Sequence, residues 1–465
     1  MNPDRDLRAY QAEGATFLSN SPRRARLLGD EPGLGKTRQA IHAADTLRAN
    51  RVLVLCYAIA KSHWQREFQD LQSRKRKIQV LTSQRNQIST IDNDRLVVIA
   101  NYDLIQQRDQ PLRNKLLSVH WDVLILDEAH VLKSPDANRT KYVYGRRHDG
   151  AGGLIGRCDN VFLLTGTPMP NHAGELWTHF HALAPELIQD PLRPGTPLSY
   201  LHYLDRYAII QATPWGNKIQ GSKNLNDLNK RLQPFMLRRR KKDVLKDLPP
   251  LNFTLYPLTL PTPPAPTQLD QLDDQDLEAL ISGGSPGGYA PGQISTVRRV
   301  LGEAKALPAV ALACQELEDD PGTKIIVFAH HLSVLDTMHA DFKNQGFKVC
   351  QIDGRTSATQ RDLNIEAFQK HPDYRVFLGQ TNAAGTSVTL TASSNVLIVE
   401  PSFVPKDNVQ AASRAHRFGQ RNSVLVRYLY APGTLDERII RILHRKTEAI
   451  ATVLDDDTVN LGAPA

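Results

Sequence analysis

Cysteine is scarce in this chain. Its 465 residues hold four, Cys56, Cys158, Cys314 and Cys350, scattered without any paired spacing. That excludes a zinc site built on closely spaced thiolates and a disulfide framework. Long apolar runs are missing as well. No stretch approaches the ~20 residues needed to span a bilayer. The first residues, Met1-Asn2-Pro3-Asp4-Arg5-Asp6, lack the apolar core of a signal peptide. The expected compartment is therefore cytoplasmic (nucleoid-associated if the source is prokaryotic or viral), with no membrane partner. There is no solenoid period either. Hydrophobic residues at 41% and charged residues at 23% are ordinary for a globular chain. The length predicts two or more domains. A formal net charge of +8 and a pI of about 9.2 suit a polyanionic partner and a solvated basic surface alike.

One stretch stands out against this background, Gly29-Asp30-Glu31-Pro32-Gly33-Leu34-Gly35-Lys36-Thr37. An apolar segment precedes it and a helix-like segment follows. A glycine-rich turn between strand and helix aims backbone N–H groups at an anion. Gly33 and Gly35 would let the backbone approach phosphate, Lys36 would reach the outer phosphates, and the Thr37 hydroxyl would sit on Mg²⁺. The strict pattern places glycine where this chain has Asp30, so an ordinary strand-to-helix turn remains the competing reading. Upstream, Gln11 could read an adenine edge with its paired donor and acceptor, or be a surface glutamine.

Further strands are expected at Arg51–Cys56, Val97–Ala100, Trp121–Leu126 and Val161–Leu164, alternating with helical segments. That pattern implies a parallel sheet with helices on both faces, whose ligands bind at the carboxyl ends of the strands. Two polar clusters fall there. Asp127-Glu128-Ala129-His130 ends one strand. Asp127 could hold Mg²⁺, Glu128 could deprotonate an attacking water, and His130 could bridge to the next cluster, with an exposed acid pair as the alternative. Thr165-Gly166-Thr167-Pro168 ends another strand. Residues 191–222 read as irregular. The run Met236 to Leu245, with Arg238, Arg239, Arg240, Lys241 and Lys242, reads as the solvated face of a helix in preference to a phosphate groove.

Proline from Leu248 to Pro266, acid from Asp270 to Glu278 and Gly/Pro/Ser from Ser282 to Gly292 mark a linker. Beyond it strand–helix alternation resumes without a second phosphate loop. Residues 410–417 read as a helix placing Arg414 and Arg417 on one face. Such arginines can serve a phosphate as fingers, or be plain surface charges.

In order along nearly the whole chain, these stretches resemble the Swi/Snf family of helicase-like ATPases in helicase superfamily two. The resemblance is carried by Leu7-Arg8-Ala9-Tyr10-Gln11, the loop through Thr37, Trp64 with Glu67, Tyr102, Asp127-Glu128-Ala129-His130, Leu164 to Pro168 with Asn171, Leu237-Arg238-Arg239, Gly385, Gln410 and Arg414 to Gln420. Stretches such as Gly221 to Pro249 are similar to the annealing-helicase branch. Pro32 stands where the family carries methionine, and Ser413 where it carries aspartate. The family implies an α/β fold of two RecA-like lobes, each a mainly parallel sheet with helices on both faces, joined by a linker or brace. The expected bounds are 1–235 for the first lobe, 236–295 for the bridge, 296–454 for the second lobe and 455–465 for a tail. It implies ATP and Mg²⁺ as cofactors, with Gln11, Gly33, Gly35, Lys36, Thr37, Asp127 and Gly385 as nucleotide ligands. Thr37 and Asp127 would hold the metal. Glu128, Lys36, Arg414 and Arg417 would be catalytic, and His130, Thr165, Thr167 and Gln410 would couple the lobes. The partner would be duplex DNA gripped through its phosphates, by a monomeric motor that takes any targeting from another protein.

Overall fold

In the computed structural model the described residues are 7–20, 22–82, 94–106, 110–166, 168–169, 172–213, 216–245, 247–262, 264–281, 285–289, 291–381 and 388–443. The chain divides into two compact units, Met1–Val244 and Leu245–Ala465.

The first unit is built on a seven-stranded sheet. Its strands are β1 (Ala25–Leu28), β2 (Arg51–Cys56), β3 (Lys77–Val80), β4 (Leu96–Asn101), β5 (Trp121–Asp127) and β6 (Cys158–Leu164), with two further hairpins before the last. The hairpins pair β7 (Gln189–Asp190) with β8 (Arg193–Pro197) and β9 (Ala208–Thr213) with β10 (Gly216–Ser222). β11 (Met236–Leu237) closes the edge of the sheet, in the order β11-β1-β6-β5-β2-β4-β3. Every pairing in it is parallel. Strands such as Val52-Leu53-Val54-Leu55 are apolar on both faces because helices cover both. The helices Ala9–Ser19, Lys36–Thr46 and Lys61–Leu71 seal one face through Leu18, Ile41, Trp64 and Phe68.

Two sequence expectations are corrected here. Residues 191–213 and 216–222 form regular structure: the two hairpins flank a helix, Tyr200–Tyr207, whose start is capped by Ser199. The basic run is not a solvated face. Its first residues pair with β1, and Arg239 and Lys241 are buried.

The second unit holds a six-stranded parallel sheet, ordered β12-β17-β16-β13-β15-β14. Its strands are β12 (Leu251–Pro257), β13 (Ile325–Ala329), β14 (Lys348–Ile352), β15 (Tyr374–Gln380), β16 (Asn395–Ile398) and β17 (Val424–Tyr430). The segment 236–295 is thus not one separate bridge. Residues 236–237 belong to the first sheet and 251–257 to the second. Prolines at 249, 250 and 257 are tolerated because β12 is an edge strand and the prolines bracket it. The acidic stretch is ordered too. Helix Asp274–Ile281 buries Leu277, Leu280 and Ile281 against Ile294, Leu301, Leu435 and Ile439. A helix of 29 residues, Pro291–Asp319, then leads to β13. Composition suggested a linker, but leucine and isoleucine at helical spacing gave these pieces a core to join.

Candidate active site

The phosphate loop leaves β1 at Gly29 and ends where helix Lys36–Thr46 begins. Gly33 and Gly35 take φ of 95° and 78°, left-handed values that a side chain resists. A Cβ on Gly35 would also lie 2.5 Å from Gln11 Nε2. Gln11 is buried beneath the loop, donating to Leu34 O (3.3 Å) and accepting from Arg8 N (3.1 Å). Lys36 folds back over the loop, its Nζ donating to Asp30 O at 2.6 Å and Glu31 O at 3.4 Å. These two carbonyls hold the ammonium at the loop. Thr37 follows in the first helical turn. Pro32 leans on Gly166, where a Cβ would come within 2.9 Å of its Cδ.

Asp30, the departure from the strict glycine pattern, is fully buried. Arg239 meets it with Nε on Oδ1 (3.1 Å) and Nη2 on Oδ2 (2.6 Å), and the Arg239 backbone N–H adds a third bond. Gln39 donates to the same carboxylate and accepts from Arg239. The adjacent Glu31 accepts from Lys241 N at 2.6 Å. A buried charge is tolerable only when paired and hydrogen-bonded, and this one is both.

At the carboxyl end of β5, Asp127 receives the Trp64 indole N–H on Oδ2 (2.8 Å) and the Glu128 N–H on Oδ1 (3.1 Å). Tyr102 donates to its carbonyl at 2.8 Å. Burial pushes the Asp127 carboxyl up to about 6, the neighbouring Glu128 charge adds to this, and the Trp64 bond opposes it. Glu128 turns out of the strand at φ 50°, left-handed for a residue with a side chain. His130 Nδ1 lies 3.2 Å from Glu128 Oε2 and 3.1 Å from Thr165 Oγ1, so it joins the two strand ends as the sequence suggested. Thr167 and Asn171 lie outside the described residues.

The donor set here suits a divalent cation. Asp127 and Thr37 offer hard oxygens of the kind Mg²⁺ takes. Asp127 is half-buried beside a second acid, so a bound cation would offset the charge the two carboxylates share.

In the second unit the expected helix over 410–417 is corrected. The helix Pro405–Ala412 carries Gln410, which is buried, and stops there. Beyond it the bonds tighten, Arg414 N to Ala411 O and Ala415 N to Ala412 O, and Leu390 N claims Arg414 O. Gln420 then donates to Thr391, Ser393 and Ala415 carbonyls and accepts from Arg421 N and Asn422 N, fixing the turn. Arg414, buried, and Arg417 are therefore loop arginines. Arg417 donates to Ser413 O and Thr389 Oγ1, each at 3.2 Å, and burial pulls its guanidinium down to about 10. Gly385 lies outside the described residues.

Sequence reading missed two groups. Arg239 was taken for surface, and only the buried acid at position 30 hinted at a partner. The other is Glu400, just past β16. It accepts from His330 N, His331 N and His331 Nδ1 at 2.8, 2.9 and 2.6 Å, pinning the carboxyl ends of β13 and β16 together. The vicinal histidines after a strand were its signal.

A phosphate loop and a paired-acid strand end on one parallel sheet, followed by a second parallel-sheet unit, define a helicase-like nucleotide-binding protein. The chain belongs to the SNF2-related family: the SNF2-related domain matches residues 10–261, and the helicase conserved C-terminal domain matches residues 308–419. Mouse (Mus musculus) DNA annealing helicase and endonuclease ZRANB3 is 30% identical over 458 residues, 97% of this chain and 41% of its own length. A Caenorhabditis elegans homologue of SWI/SNF-related matrix-associated actin-dependent regulator of chromatin subfamily A-like protein 1 is 29% identical, over 97% of this chain and 62% of its own. The chain thus spans less than half of ZRANB3. The Sulfolobus solfataricus SWI2/SNF2 ATPase core in complex with dsDNA superposes over 97% of this chain and 94% of its own at 23% identity, with a TM-score of 0.44. Among the described residues no helix is long and apolar enough to cross a membrane.

Proposed function

We propose that this chain hydrolyses ATP in response to DNA and uses the cycle to translocate along double-stranded DNA, remodelling DNA structures or protein–DNA complexes. The observation that carries the reading is the triple of Lys36, Asp127 and Glu128 at one end of the first sheet, in a chain of the SNF2-related family. In this reading Lys36 exchanges its loop carbonyls for the outer phosphates. Thr37 and Asp127 hold Mg²⁺, which when bound screens the phosphate oxygens. Glu128 takes the proton of the attacking water, steadied by His130 at 3.2 Å. Arg414 and Arg417 are assigned the charge that builds on the transferring phosphoryl group. DNA is gripped through phosphates, with weak sequence preference.

A second reading, fork remodelling or strand annealing, is favoured by the relatives named as annealing helicases. A third, a nucleotide-switched DNA-binding module with little turnover, has less support, because a switch needs neither Glu128 nor the arginines.

The test is steady-state phosphate release with single-stranded, duplex and forked DNA and with RNA. Duplex DNA should raise the rate, and salt should weaken the effect. Equal rates with and without duplex at low salt would remove the translocase reading and promote the switch. Triplex displacement without forked-duplex unwinding would separate translocation from strand separation.

A further inference from the structure

We infer that Arg239 is a positioning residue for the phosphate loop, acting on Lys36 through Asp30, and that Gly14 is kept small to admit it. The inference rests on the reading that Lys36 receives ATP.

Three observations carry it. The first is a continuous chain of contacts. Lys36 Nζ rests on Asp30 O, and the Asp30 carboxylate is clamped by Arg239 and Gln39. The second is a backbone ribbon. Gly29 N donates to Leu237 O, Glu31 N to Arg239 O, and Arg239 N and Lys241 N return bonds to the two acids. Both sides of the loop's first half are thereby fixed to residues 237–241. The third is the opposite end of the guanidinium. Its Nη1 donates to Tyr10 O and Glu13 Oε2, tying the Gln11-bearing helix to the same point. Gly14 faces the cluster from that helix. A Cβ there would overlap Gln39 Oε1 and Arg239 Nη2, the two groups that hold Asp30.

A planar fork with several donors can satisfy this geometry, and a lysine cannot. The strut presets the waiting position of Lys36, so its loss falls on nucleotide capture. Once ATP is bound, the phosphates themselves order the loop.

Gly14→Ala is the sharpest test, because alanine favours the helix it enters and removes no charge. The readouts are binding of a fluorescent ATP analogue with Mg²⁺, thermal melting, and the split between KM and kcat. Gly14→Ala should fold but melt somewhat lower than wild type, because it crowds the partners of a buried acid. It should bind about tenfold more weakly and raise KM to match, with kcat largely kept, the scale of one charge-assisted hydrogen bond. Arg239→Lys should behave likewise. The double variant Asp30→Asn/Arg239→Gln leaves no unpaired charge in the buried cluster, since Glu13 is exposed to solvent, and should fold and show the same split. Wild-type affinity and KM in Gly14→Ala and Arg239→Lys would overturn the strut and leave the nucleotide reading standing. A wild-type protein that fails to bind the analogue would overturn both.

Discussion

The indole N–H of Trp64 donates to Asp127 Oδ2 at 2.8 Å, from the helix Lys61–Leu71 to the end of β5. It commits one carboxylate oxygen and fixes the plane of the other. Trp64→Phe keeps the ring in its buried slot and deletes the donor. The half-saturating Mg²⁺ concentration for nucleotide binding should rise about tenfold or more, since a hydrogen bond to a charged group is worth ~1.5–3 kcal/mol. An unchanged Mg²⁺ titration would show that the indole only fills space.

The same carboxyl sets a pH dependence. Its folded pKa is raised from 3.8 to about 6. The stability it contributes is complete below the ordinary carboxylate range and is lost as pH rises through about 6. Without metal, Asp127→Asn should therefore melt higher than wild type at pH 7.5 and alike at pH 4.5, by roughly 2–4 °C per kcal/mol relieved. Melting curves in EDTA at the two pH values decide it.

Glu128→Gln should bind ATP normally and lose turnover by about 10²–10⁴-fold, the usual contribution of a general base. Normal phosphate release by this variant would remove the assignment.

Arg414→Ala should cost about 10³-fold or more in single-turnover hydrolysis, with analogue binding to the first lobe nearly intact. Thr389→Ala removes the hydroxyl that receives Arg417 Nη1, and should lower turnover more mildly. Turnover unaffected in both would leave these arginines structural.

In the second unit Lys305 Nζ, fully buried, donates to Asp436 Oδ2 (2.6 Å) and Leu429 O (2.9 Å). Asp436→Ala strands the ammonium and should destabilise by ~3–5 kcal/mol. Urea unfolding followed by a probe in that unit would measure it.

Much of this was legible locally. Arg51–Cys56 and Trp121–Asp127 announce buried parallel strands by unbroken apolar runs, and the acids follow where such sheets bind ligands. The failures have a common cause, a partner remote in sequence. Val424–Tyr430 went unread as a strand because Arg427 interrupts it. The charge is hidden by Glu316 and Asn395. Leu251–Pro257 looked like linker until β17 paired with it. The run 410–417 has helical composition, yet Gln420 and Leu390 take the backbone groups a further turn would need. Asp30 departs from the strict glycine pattern, which the resemblance alone made sense of, and its physical reason was out of sight because its guanidinium lies 209 residues downstream.

That separation has a consequence for synthesis. A chain emerging from the ribosome holds its phosphate loop early, but the loop cannot reach its final form until Arg239 has been made. At ~5–20 residues per second this takes roughly 10–50 s. For that interval the nascent lobe carries an unneutralised acid at the heart of its nucleotide pocket. A fragment ending at Pro234 should therefore unfold at lower urea than one ending at Val244, because only the longer one carries the partner of Asp30.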